Sequence, residues 1–168
     1  MTKEDFIKFA SQGNSRVSVN KVIKNFEGSP LQVYKTLNNK NSFLFESASN
    51  KGKWSRYSII GTESNEMIKV EDNKISYINN SKVEEIKTND PLDWIEKFYS
   101  KNKVINLPKD VPFSGGLVGY FGYETIRFIE NKLKVEKKDS LGVPDIFLFV
   151  CNEIIIFDNL KKCIHIII

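Results

Sequence analysis

Met67-Ile68-Lys69-Val70-Glu71-Asp72-Asn73-Lys74-Ile75-Ser76-Tyr77-Ile78 sets two β-rich runs on either side of a two-residue turn, and it decides the class of fold. Asp and Asn tolerate the left-handed backbone of a tight turn, so residues 67–70 pair with 74–78 across Asp72-Asn73. A connection this short makes the neighbours antiparallel. Upstream, residues 42–46 and 55–60 are also β-rich, which extends the hairpin into a meander. Helices flank it. Ser29-Pro30 places an N-cap before a proline at the first helical position, and Leu31, Tyr34 and Leu37 follow at helical spacing over about 30–38. Asp90-Pro91 repeats that signal, with Asp93 three residues after the cap and Trp94, Ile95 and Phe98 as the apolar face of a helix ending near Tyr99. Thr2 with Asp5 forms a capping box ahead of Phe6, Ile7, Phe9 and Ala10, whose apolar face suits packing.

Downstream, residues 101–112 read as a linker, 115–121 as a strand, and 123–130 as a short helix with Ile126 and Ile129 inward. A charged loop at 132–139 leads to a final hairpin of 145–151, 153–157 and, past a turn at 158–161, 163–168. There is no internal repeat. The expected class is α+β, mainly antiparallel β-sheet with a few flanking helices, in one domain spanning 1–168. A natural domain seldom stops inside its most apolar strand, and Ile164, Ile166, Ile167 and Ile168 would leave apolar surface on an open edge. The expectation is therefore a truncated chain.

Size and composition narrow the function classes. The 168 residues, 40% hydrophobic and 27% charged, suit a soluble domain with a sizeable core. The longest apolar runs fall far short of the ~20 residues a membrane helix needs, and Met-Thr-Lys-Glu-Asp-Phe-Ile lacks the basic and apolar regions of a secretory leader. A cytosolic location with no membrane partner is expected. The net charge of +4 comes from lysines spread among 21 acidic residues, which argues against nucleic acid as a partner. Cys151 and Cys163 lack C-x-x-C spacing and read as reduced core thiols, and His165 among isoleucines reads as structural, so no metal site is expected. Gly115, Gly116, Gly119 and Gly122 are not a phosphate loop: no Gly-Lys-Ser/Thr follows, and Leu117, Val118, Tyr120 and Phe121 read as a strand. Tyr120, Phe121 and Tyr123 are then packing groups for another sheet or a partner domain. Glu84-Glu85 is a solvated face.

The chemistry-bearing stretch is Ser42-Phe-Leu-Phe-Glu-Ser-Ala-Ser-Asn-Lys-Gly-Lys-Trp-Ser-Arg-Tyr-Ser-Ile-Ile-Gly61. Glu46 and Ser47 offer a carboxylate and a hydroxyl to an ammonium group, Arg56 offers a fork to a carboxylate, and the flanking strands offer apolar walls. Together these suit a zwitterion. The blander readings are a solvated strand end capped by Ser47, and an Arg56 paired with an acidic neighbour on the sheet surface. Alternation puts Arg56 and Ser58 on one face and Tyr57 on the other, toward the core.

Phe43-Leu44-Phe45-Glu46-Ser47 resembles the Leu-Leu-Glu-Ser segment of the anthranilate synthase component I family, Arg56 to Gly61 its Arg-Tyr-Ser-x-Ile-Gly strand, and Gly115 to Glu124 its Gly-Gly-x-x-Gly-Tyr-Phe-x-Tyr-[Asp/Glu] segment. Phe45 departs from the commoner leucine. The Glu46-Ser47 pair leans toward the anthranilate branch over the para-aminobenzoate branch. The resemblance implies the N-terminal regulatory domain of a larger α/β-sandwich enzyme, a lyase that turns chorismate and ammonia into anthranilate and pyruvate. It further implies Mg2+ for that enzyme and none bound in this part, a glutamine amidotransferase subunit as partner, and a C-terminal catalytic domain beyond the matched region. No catalytic residue is then expected in this chain. The role the resemblance gives it is feedback inhibition, with L-tryptophan bound by Ser47 first, then Glu46, with Arg56 and Leu44 beside them. The alternatives are the same domain of aminodeoxychorismate synthase component I, or a stand-alone amino-acid-binding or interaction module.

Overall fold

The computed structural model describes residues 2–12, 16–46, 56–133 and 141–168, apart from the side chain at position 131. The chain divides into two compact units, Met1–Ser64 with Asn102–Gly116 and Cys151–Ile168, and Asn65–Lys101 with Leu117–Val150.

The second unit holds the hairpin that decided the fold. Strands β5 (Glu66–Glu71) and β6 (Lys74–Asn79) pair antiparallel with Val70 opposite Ile75 and Ile68 opposite Tyr77. Asp72 takes the expected left-handed backbone at φ 51°. Strand β7 (Lys82–Lys87) continues the meander, and β10 (Ile146–Cys151) and β9 (Gly116–Phe121) complete the order β7-β6-β5-β10-β9. Ile68, Val70, Ile75, Ile146 and Leu148 share one face, which helix α3 (Pro91–Lys101) covers with Ile95, Trp94 and Phe98. Thr125, in a 3₁₀ turn at Tyr123–Thr125, is buried, and Phe128 of helix α4 (Ile126–Ile129) packs on this core. The expected inward pair is reversed: Ile126 and Ile129 are 37% and 63% exposed, because the 3₁₀ start rotates the helix so that Thr125 and Phe128 face in.

In the first unit the sheet order is β2 (Asn20–Lys24), β12 (Cys163–Ile167), β11 (Ile154–Asp158), β4 (Tyr57–Gly61) and β3 (Phe43–Phe45), with every neighbouring pair antiparallel. Strands β1 (Arg16–Val17) and β8 (Val104–Ile105) form a separate parallel pair, so the expected linker at 101–112 contains a strand. Ile60, Phe157 and Ile164 form the core on one sheet face, where Val33 and Tyr34 of helix α2 (Pro30–Leu37) pack on them. The capping boxes at Ser29 and at Thr2 are both formed. Helix α1 (Lys3–Ser11), however, buries no residue fully, and Phe6 and Ile7 of its expected packing face are about half exposed.

Two further expectations are corrected. Residues 145–151 and 153–157 are not a hairpin: β10 pairs with β5, β11 with β4 and β12, and the chain crosses between sheets at Asn152-Glu153. Strand β12 is not an open edge either. Strand β2 pairs along its whole length, and Ile164 and Ile167 are buried.

Candidate functional site

Strand β3 is short because it ends against charge: Phe43, Leu44 and Phe45 pair with Gly61, Ile60 and Ile59, and Glu46 follows, exposed. Phe43 lies over Gly61, where a Cβ would stand 2.0 Å from the ring, so a side chain at 61 would push the Phe43 ring aside. Leu44 points to the other face and packs against the core of Ile60, Phe157 and Ile164. Ser47, the first-ranked contact, lies outside the described residues, as do positions 48–55.

Arg56 directly precedes β4, and its fork meets an acidic neighbour. Nε donates to Oδ1 of Asp158 at 3.0 Å and Nη2 to Oδ2 at 2.6 Å, while the guanidinium carbon sits 4.7 Å from the Tyr57 ring centroid. Asp158 Oδ1 also accepts from the backbone N–H groups of Leu160 and Lys161 at 3.1 and 3.0 Å. The Arg56 bonds, with help from those two amides, hold the Asp158 carboxyl below the usual carboxylate range despite its burial, and Asp158 in turn raises the Arg56 guanidinium. The backbone is tied at the same place, Asn159 N–H donating to the Arg56 carbonyl at 2.8 Å. Of the two readings of Arg56, the described contacts are those of a guanidinium bound to the sheet.

Tyr57 is half-buried, on the sheet face it shares with the buried Asp158, Ile156 and Ile154. Ser58 and Ile60 are buried on the other face of β4, and the Tyr57 hydroxyl donates to the Asp110 carbonyl at 3.3 Å. Both faces of this sheet are buried: on the side of Tyr57, Ile154 and Ile156 are at most 1% exposed, and α2 covers the side of Ile60. The opposite face carries polar groups that sequence spacing hid. Asp158, Cys163 and His165 are each buried, and one ligating atom from each lies within 4.8 Å of the others. Asp158 and Cys163 are cross-strand partners and His165 is two residues on, so pairing register, not proximity along the chain, brings them together.

The glycine-rich segment is a strand, as expected, and it passes close to its neighbour: a Cβ on Gly119 would stand 1.9 Å from the Phe147 carbonyl oxygen. Tyr120, Phe121 and Tyr123 are 41%, 55% and 87% exposed. Tyr120 has a local partner, its hydroxyl donating to the Pro144 carbonyl at 3.1 Å. Neither cysteine is in a disulfide, both are buried, and burial pushes the Cys151 thiol up to about 12. Among the described residues no helix is long and apolar enough to cross a membrane.

No family model matches the chain. Over its whole length, however, it is similar to proteins named anthranilate synthase component 1: 38% identical over 172 aligned positions to that of Pseudomonas putida and 34% over 173 to that of Neisseria meningitidis serogroup B. Both alignments cover all of the chain and 35% of the relative, its N-terminal region, so the chain spans about a third of the length of the curated relatives it matches. The crystal structure of anthranilate synthase component I from Streptococcus pneumoniae TIGR4 superposes with a TM-score of 0.55 at 26% identity, over 86% of this chain and 30% of that one.

Proposed function

Because the chain is similar from end to end to the N-terminal region of anthranilate synthase component I, we propose that it serves as the regulatory part of such an enzyme and carries its L-tryptophan site. The observation that carries the reading is the placement of Leu44 and Glu46: one side chain is anchored in the core, and the other is exposed where β3 ends. A carboxylate there accepts charge-assisted hydrogen bonds from an α-ammonium group, with the Ser47 hydroxyl as a second acceptor and apolar side chains beside them. Arg56, held by Asp158 and by the Asn159 amide, then fixes where the chain re-enters the sheet after the effector segment. The whole enzyme would convert chorismate and ammonia to anthranilate and pyruvate, with ammonia from a glutamine amidotransferase subunit. The exposed Tyr120, Phe121 and Tyr123 suit packing against the enzyme's catalytic part.

Mg2+, which that activity implies, does not fit the donors present. Among the described residues the one cluster of ligating side chains contains a thiol and an imidazole, whereas Mg2+ takes oxygen ligands. No step of the reaction is assigned to this chain. Its contribution is linkage: tryptophan that favours one conformation of the enzyme lowers chorismate affinity by the same factor by which chorismate lowers tryptophan affinity.

The test is Glu46→Gln and Ser47→Ala in the complete polypeptide, with tryptophan inhibition and uninhibited turnover both measured. Relief of inhibition with unchanged turnover is expected. Wild-type inhibition in both variants would remove the site from this segment, and formation of aminodeoxychorismate instead of anthranilate would move the protein to the para-aminobenzoate branch.

A further inference from the structure

We propose that Asp158, Cys163 and His165 form a binding site for one borderline-soft divalent ion of the zinc type, separate from the effector segment and unsuited to Mg2+. The three side chains supply a carboxylate, a thiol and an imidazole, the donor types zinc takes. Cys163 Sγ lies 3.7 Å from His165 Nε2. Two ligands on arms of about 2.3 Å (sulfur) and 2.1 Å (nitrogen) around a tetrahedral ion stand about 3.6 Å apart, so these donors are already spaced for a shared metal.

Three further observations support a built site. The donors sit on the paired strands β11 and β12 at the middle of the sheet, where register fixes them, and all three residues are at most 7% exposed. The imidazole is under-used for so buried a group. Its Nε2, the nitrogen that faces the thiol, has only that weak contact, so in the tautomer with the proton on Nδ1 its lone pair is left for an ion. Finally, Asp158 is oriented from behind. Its Oδ1 accepts three N–H groups and its Oδ2 accepts a bond from Arg56 Nη2, which leaves Oδ2 a lone pair for a metal while Arg56 and the turn amides hold the carboxylate in place. On binding, Cys163 loses its proton to solvent, so thiolate and carboxylate together offset the ion's charge. Soft and borderline donors exclude Mg2+ and Ca2+ and select Zn2+ or Co2+.

The experiment is a Co2+ titration of the complete polypeptide, stripped of metal by a chelator and kept reduced, followed by displacement with Zn2+. One equivalent of Co2+ with a near-ultraviolet sulfur-to-metal charge-transfer band, bleached by Zn2+, is expected. Cys151→Ala keeps the band. Cys163→Ser loses it and weakens Zn2+ binding, measured against a chromophoric chelator, by at least the ~100-fold that loss of even an outer-shell partner can reach. An absent band in the wild type, a band that survives in Cys163→Ser, or one lost in Cys151→Ala with the fold intact by circular dichroism overturns the site. Should Cys163→Ser not fold, the wild-type titration with its Cys151→Ala control decides. Tryptophan inhibition is measured separately, so failure here leaves the effector reading standing, and the reverse.

Discussion

Gly119→Ala should be among the most damaging single-methyl changes in this protein. Its Cβ would stand 1.9 Å from the Phe147 carbonyl oxygen and 2.9 Å from Leu148 Cα, and real Cβ contacts essentially never fall below 3.0 Å. Both obstacles are backbone, so no rotamer change relieves them. Strand β9 must move off β10 by about 1 Å, which stretches N–H···O distances from about 2.9 Å to about 4 Å, beyond hydrogen-bonding range. Overpacking of this kind costs about 1–3 kcal/mol, and the lost ladder bonds add about 1 kcal/mol each, so about 3–4 kcal/mol is expected against a total stability of about 5–15. With a urea slope of about 1–3 kcal/mol per molar, the midpoint falls by more than about 1 M. Gly142→Ala is the control: its φ of 62° disfavours an L-residue, but among the described residues beyond its chain neighbours no atom lies within 4 Å of the new Cβ, so the cost is only about 1–2 kcal/mol. Urea denaturation followed by circular dichroism measures both. If Gly119→Ala unfolds within about 0.3 M of the wild type, the close approach of β9 to β10 is wrong.

The core and the thiols give two more outcomes. Ile156→Ala, at a side chain with no exposure, should cost about 2–5 kcal/mol by the same denaturation assay, whereas Val83→Ala on β7, 59% exposed, should stay within about 0.5. Cys151, its thiol pushed up to about 12 by burial, remains protonated and shielded at pH 8. Alkylation mapped by mass spectrometry should therefore find it unmodified until denaturant is added, and rapid native labelling at Cys151 would contradict that burial.

What the sequence disclosed follows from how local each signal is. The Asp72-Asn73 hairpin, the helix at Pro91–Lys101 and the capped helix at Pro30–Leu37 are written in adjacent residues, and they form where expected. Strand β7 was hidden because an edge strand exposed everywhere but at Ile86 carries Lys82, Glu84, Glu85 and Lys87 in place of an alternating apolar pattern. Strands β1 and β8 are two residues each and pair across nearly ninety positions, which no window of sequence reveals. Asn152-Glu153 has the length of a hairpin turn, and only the register of β5 and β4 sends its two flanking strands into different sheets. At the candidate sites, the strand that ends at Phe45 before Glu46 and the two faces of β4 were legible. Asp158 as the partner of Arg56, and the meeting of Asp158 with Cys163 and His165, were not, because both depend on cross-strand pairing over long sequence separations.

The order of the first unit's sheet also bears on how the protein is made. Strands β11 and β12, the last in the chain, lie between β4 and β2, which are synthesised far earlier. About 90 residues separate Gly61 from Ile154, so at about 5–20 residues per second the early strands wait roughly 5–20 s on the ribosome before their central partners emerge. During that interval Ile60 and Leu44 have no sheet to close over them. The hairpin of β5 and β6, complete by residue 79, has its partner at once, so the nascent chain should acquire order from its middle outward, with chaperone contacts falling on the N-terminal strands.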